Sequence, residues 1–251
     1  MKNNSLDFKI SDWLSDYLDN SKLKSYIIGI SGGVDSAVSS TLCAKTGKRT
    51  IVLSMPILQA EDQLERATNH IKWLKDNFPN VESYEYDLSN VFTQFNSLFE
   101  SEHKHASANS RSRLRMTTLY HVAAMNSGLV VGTGNKVEDF GVGFYTKYGD
   151  GGVDISPIAD LTKTEVRQLA KDLGINQEIV TAKPTDGLWD DGRTDEDQIG
   201  ASYEELEWAM DYLESNSNYS LSERQIQVLN IYNKFHSANM HKMISIPIFK
   251  K

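Results

Sequence analysis

Gly29-Ile30-Ser31-Gly32-Gly33-Val34-Asp35-Ser36 follows the apolar run Tyr26-Ile27-Ile28 and opens into Ala37–Lys45, which reads as a helix. Strand, glycine turn and helix start, in that order, form a cradle where backbone N–H groups and a helix N-terminus hold phosphate. The segment lacks the lysine of GxxxxGK[ST], and glycines at 29, 32 and 33 miss the GxGxxG spacing. Asp35 beside Ser36 sets it apart, because a carboxylate within a phosphate cradle calls for a divalent cation between the two. The stretch therefore reads as a Mg²⁺–nucleotide site of a non-Walker kind. The plainer alternative is a glycine turn capped by Ser or Asp.

Outward from the loop, helical and extended periods alternate. Residues 8–20 have helical spacing, Thr50–Met55 reads as a second strand ended by Pro56, and Glu61–Asn77 as a helix. Ser83–Leu88 reads as a third strand, Val91–Phe99 as a short helix, Arg113–Asn126 as a longer one, and Leu129–Val131 as a buried strand. Glu102–Ser112, Gly141–Asp154 and Pro184–Gly200 read as loops. Ser202–Leu213 is a capped amphipathic helix, Leu221–Phe235 another, and His236–Lys251 a basic tail. The expected fold is α/β, a doubly wound, Rossmann-like parallel sheet with helices on both faces. Ligands on such sheets bind beyond the strands' carboxyl ends, so Ser31–Ser36 and Thr133–Glu138 should share one rim.

A chain of 251 residues suits one α/β core, read as a single domain over 1–251. The net charge of −8 gives no bulk attraction to nucleic acid, although Arg111, Arg113 and Arg115 form a local basic patch. Cys43 is the only cysteine, which excludes an internal disulfide and CxxC metal ligation. The histidines show no HExxH or Cys/His cluster that would indicate zinc. No apolar run is long enough to cross a bilayer, and the polar N-terminus is unlike a signal peptide. The expectation is a soluble cytoplasmic protein with no nucleic-acid or membrane partner.

A second informative stretch runs from Gly132 to Gly174. It offers acceptors in Glu138, Asp139, Asp150 and Asp154 and cations in Lys147 and Lys163. Thr162 stands where it can cap a helix bearing Val166, Leu169 and Ala170. Lys163 then falls in the first turn, where a cation opposes the helix dipole unless an anion binds there.

The SGGxDS loop resembles that of the ATP pyrophosphatase superfamily (the adenine nucleotide alpha hydrolase-like fold). The Gly132–Gly174 stretch is similar to the NAD synthetases of the short, ammonia-dependent type. The motifs that carry this are GT, Glu138, GFYTK, DGGVD, then Pro157 and Lys163 to Ala170; GLW, TDEDQIG and His241-Lys242 follow. The resemblance implies ATP contacts at Gly29, Ile30, Ser31, Gly32, Gly33, Val34, Asp35, Ser36, Gln59, Thr133, Lys163 and Thr185. It implies magnesium carboxylates at Asp35 and Glu138, with Asp35 and Lys163 as the catalytic pair. Deamido-NAD contacts fall on Arg113 (Arg111 being the alternative), Lys147, Asp154, His241 and Lys242. The implied reaction adenylates the nicotinate carboxylate of deamido-NAD and displaces AMP with free ammonia, the last step to NAD. The resemblance also implies a homodimer with the dinucleotide site at its interface. The sequence departs from the family's pattern at Val34, in the run Asn-Ser-Arg-Ser-Arg ending at Arg113, and in FYTK at 144–147.

Overall fold

The computed structural model describes residues 5–59, 61–101, 103–185, 194–215 and 220–251. In chain order the elements open with α1 (Leu6–Ser21), β1 (Ser25–Gly29), α2 (Val34–Lys45), β2 (Arg49–Ser54), α3 (Glu61–Asn77) and β3 (Val81–Glu85). Next come α4 (Ser89–Asn96), α5 (Lys104–Asn126), β4 (Gly128–Val130) and a π-helical turn (Val137–Val142). The chain closes with α6 (Lys163–Asp172), α7 (Gln177–Val180), α8 (Asp195–Ile199), α9 (Tyr203–Glu214) and α10 (Glu223–Met243).

Among the described residues the sheet has four parallel strands in the order β3-β2-β1-β4. Its central strands have apolar middles, Tyr26 to Ile28 and Ile51 to Leu53, because both faces are covered. Tyr26 and Ile28 of β1 pack on one face with Leu14 and Leu18 of α1, Val38 and Leu42 of α2, and Val166 of α6. Ile27 points the other way, into Ile51, Leu53, Val122 and Val130 under α5. The doubly wound expectation holds. A third cluster joins Val137 and Val142 to Leu206, Ala209 and Val228, so α9 and α10 pack on the π-helical turn.

Four local expectations change. β3 starts at Val81 rather than Ser83, since Val81 pairs with Thr50 and is buried. Beyond Glu85 the chain still follows β2, with Tyr86 N–H donating to Ser54 O and Leu88 N–H to Pro56 O at 2.9 Å each. Pro56 has no N–H to return, so regular pairing stops. The polar run before Arg113 is helical from Lys104, not a loop. Its N-terminus is closed by the His103 ring, which accepts from Ala106 N–H, and Ser107, Ala108 and Ser112 are buried. Small side chains pack there without leaving an apolar period to read. The basic tail is helical through Met243, which puts His241 and Lys242 in the last turn of α10. Of the expected Pro184–Gly200 loop, Thr194 caps the short α8; Gly187-Leu188-Trp189 lies outside the described residues.

His70 on α3 is 1% exposed, and its Nε2 lies 3.0 Å from Ser40 Oγ. Burial drives its pKa down to about 4, against a weaker upward pull from the Ala37 backbone. The unfolded chain therefore takes up a proton that the folded chain refuses. Stability from this site is complete above about pH 6.5 and drains away towards pH 4, by about 3 kcal/mol in all. Urea denaturation of wild type and His70→Gln across this range should show the variant losing less; parallel curves would contradict the assignment.

Candidate active site

The loop after β1 and the loop after β4 leave neighbouring strands on the same rim, as Val131 N–H donating to Ile27 O shows. In the first, Gly32 takes φ +85°. A Cβ there would lie 2.6 Å from the Gln63 carbonyl of α3, so only glycine lets the loop pass this close. Ser36 Oγ accepts from Ser31 N–H at 3.2 Å and donates to Gly33 O at 3.0 Å, which ties the turn to the first turn of α2. Gly33 is the N-cap and supplies no side-chain hydrogen bond. The first N–H groups of α2 therefore open into the cavity at the positive end of the helix, where an anion is stabilised.

Asp35 lies in the first turn of α2, Glu138 on the π-helical turn, and Lys163 at the first residue of α6. Lys163 Nζ is 2.6 Å from Asp35 Oδ2 and 2.8 Å from Glu138 Oε1, and its side chain is 3% exposed. The Thr162 and Glu165 capping box fixes where α6 begins. Burial, with the neighbouring Glu138 charge, holds the Asp35 carboxyl above its usual range despite Lys163. Burial also opposes charge on Glu138, but Lys163 and the Tyr203 hydroxyl outweigh it and hold that carboxyl low. Burial works against the Lys163 ammonium too, yet the two carboxylates raise its pKa above the ordinary lysine value.

Two groups that sequence reasoning passed over, Asn135 and Tyr203, organise this cluster. Asn135 is fully buried; its Nδ2 donates to Asp35 Oδ1 at 3.1 Å, and its Oδ1 accepts from Val137 and Glu138 N–H. Tyr203 OH donates to Glu138 Oε1 at 2.6 Å and lies 3.2 Å from Asp195 Oδ2. Asp139, pushed up to about 8 by burial and then by the Glu138, Asp150 and Asp35 charges, adds little negative charge near neutrality. Asn135 stands three residues before Glu138, the spacing of an Asx cap, so a readable signal existed. Tyr203 carried none.

A cavity of about 770 Å³ opens over the cluster. Its wall includes the whole loop Gly29–Ser36 and Gln59, Thr133, Glu138, Lys163 and Thr185, and also Arg113, Lys147, His241 and Lys242. Gln59 donates to Gln63 Oε1, and Arg115 reaches it from the buried side while bonding Met55 O. Arg113 donates to Lys147 O, whereas Arg111 stacks on Phe92 with its guanidinium 5.0 Å from the ring and off the cavity wall. Lys147 Nζ bonds His241 O, and Lys242 Nζ donates to Gly143 and Tyr145 O at 2.8 Å. Ser112 and Asp150 clamp the Thr146–Asp150 turn to α5 by exchanging hydrogen bonds of 2.6 and 2.8 Å. Asp154 is the exception. It is exposed, off this wall, and binds Val130 N–H and Tyr120 OH.

The residues present fit magnesium in a particular way. Two carboxylates converge on one point already held by a cation. Among the described residues no third acidic, histidine or cysteine side chain completes a group of ligands. Such a set needs phosphate oxygens and water for the remaining octahedral positions, as suits Mg²⁺ carried by a nucleotide.

Residues 8–251 match the family described as NAD synthase. The NH(3)-dependent NAD(+) synthetase of Finegoldia magna is 39% identical over 211 residues, 83% of each chain. The solved NMN synthetase of Francisella tularensis superposes with a TM-score of 0.87 at 32% identity, over 98% of both chains. The NH3-dependent NAD synthetase of Campylobacter jejuni gives 0.81 at 26%, again over 98% of both. The match spans both rim loops, the Lys163 helix and the α10 terminus that together wall the cavity, and the chain belongs to the NAD synthase family.

Proposed function

We propose that this chain is a ligase that converts deamido-NAD, ATP and free ammonia to NAD, AMP and pyrophosphate, acting in the cytoplasm. The observation that carries it is the Asp35–Lys163–Glu138 cluster beside the uncapped start of α2, in one cavity with Arg113, Lys147, His241 and Lys242. The α2 N–H groups and Lys163 suit the β and γ phosphates; the basic far side suits the second anionic nucleotide. The nicotinate carboxylate attacks the α-phosphorus, and pyrophosphate leaves with its charge spread over those donors. Ammonia then adds to the acyl carbon, loses a proton, and AMP departs. Asp35 and Glu138 would hold Mg²⁺, which neutralises charge on the leaving pyrophosphate.

A homodimer sharing the dinucleotide site accommodates Asp154, whose exposure away from the cavity fits a contact to substrate bound across an interface. The likeness to an NMN synthetase favours a second reading, in which the acceptor is nicotinate mononucleotide. ATP–pyrophosphate exchange in the absence of ammonium separates the two. Exchange driven by deamido-NAD supports the first reading, exchange driven only by the mononucleotide supports the second, and exchange with neither removes the adenylate.

A further inference from the structure

Lys163 is placed against the dipole of its own helix. It is the first residue of α6, where the N–H groups already carry partial positive charge. What holds the ammonium there is a pair of carboxylates at 2.6 and 2.8 Å and the ring of Tyr203, 4.8 Å away. The carboxylates are themselves committed. Asp35 uses both oxygens, one on Lys163 and one on Asn135. Glu138 Oε1 takes Lys163 and Tyr203 together. The ammonium sits between Asp35 Oδ2 and Glu138 Oε1, so a divalent cation held by those two oxygens would need the place it occupies.

We infer that Lys163 is the resting cation of the metal position, closing Asp35 and Glu138 to a free divalent ion until a nucleotide arrives. This rests on the proposed Mg–ATP reading of the site and adds an order of events to it. A triphosphate bound at the start of α2 offers Lys163 a second, more strongly charged anion in the same cavity. Once Lys163 turns to the phosphates, both carboxylate oxygens are released to the metal that the phosphates bring. Metal and nucleotide thus enter as a unit, and the site holds neither two bare carboxylates nor an excess of cations at any stage. Asn135 and Tyr203 keep Asp35 and Glu138 in place during the exchange.

Mn²⁺ binding, read by electron paramagnetic resonance without turnover, tests this. Wild type is titrated alone and with the α,β-methylene analogue of ATP, beside K163M and K163R. Free Mn²⁺ should bind K163M at least tenfold more tightly than wild type, while K163R, which keeps a cation, stays as weak as wild type. With the analogue, wild type should bind Mn²⁺ more tightly than the analogue does in solution. If K163M fails to fold, K163Q, whose amide still donates to one carboxylate, serves for the same comparison. Equal free-metal affinity in wild type and the neutral variants refutes the closure but leaves the metal site standing. Absence of Mn²⁺ from wild type even with the analogue defeats the metal reading and this inference with it.

Discussion

Asp35→Asn is expected to lower turnover by about 10³-fold while the protein stays folded, the scale of losing a major electrostatic contact in a closed site. Two opposing magnitudes decide the structural half. Removing one partner of a buried ion pair commonly costs about 3–5 kcal/mol, because the other charge is stranded. Here Lys163 keeps Glu138 at 2.8 Å and the Asn oxygen can still accept from it, although the Asn NH2 then faces the Asn135 Nδ2 donor. Burial and Glu138 already raise the Asp35 pKa, so the lost charge was itself held at a cost. The net destabilisation should therefore be about 1–3 kcal/mol, the cost of leaving that one buried donor unpaired. The catalytic half has no such compensation, since a neutral amide is a poor magnesium ligand and leaves Glu138 alone against the phosphates. Steady-state rates at saturating magnesium, with urea denaturation of the same samples, separate the halves. Wild-type turnover in folded Asp35→Asn would sink the assignment.

Gly32→Ala should be the most damaging single methyl in the cradle. At φ +85° an L side chain strains the backbone by about 1–2 kcal/mol before any contact. The new Cβ would then meet the Gln63 carbonyl at 2.6 Å and Ala67 N at 3.2 Å, both α3 backbone, so the loop rather than a side chain must yield. We expect a loss of about 2–4 kcal/mol in stability and loss of measurable binding of the ATP analogue. Gly33→Ala is the control. Its φ of −92° is ordinary, and its Cβ would meet only Ser31 Oγ at 3.3 Å, so it should cost under about 1 kcal/mol. Similar losses in the two variants, by chemical denaturation, would contradict the close approach to α3.

What could be read in advance followed from local physics. The β1 and β2 runs are apolar on both sides because the sheet is covered on both faces, and the glycine loop between β1 and α2 announces itself by composition. The start of α5 was hidden because its packing uses Ala108, Ser107 and Ser112, none of which marks a buried period. The end of α10 was hidden by its basic residues: Lys242 donates to the Gly143 and Tyr145 carbonyls rather than to solvent, and His241 O accepts from Lys147 Nζ. The site residues expected in advance came from a resemblance between ordered motifs, and all of them but Asp154 reach one wall. Tyr203 matters through its bond to Glu138, 65 positions away in the chain. No local pattern encodes such a bond.

In the proposed reaction this cavity joins ammonia to a nucleotide carboxylate through an adenylate. Purified protein with Mg–ATP, deamido-NAD and ammonium tests it most directly, with NAD, AMP and pyrophosphate counted in the same samples. Equal amounts of all three are expected, with no NAD when ammonium is left out. ADP and phosphate in place of AMP and pyrophosphate, or AMP with no NAD at any ammonium concentration, would contradict it.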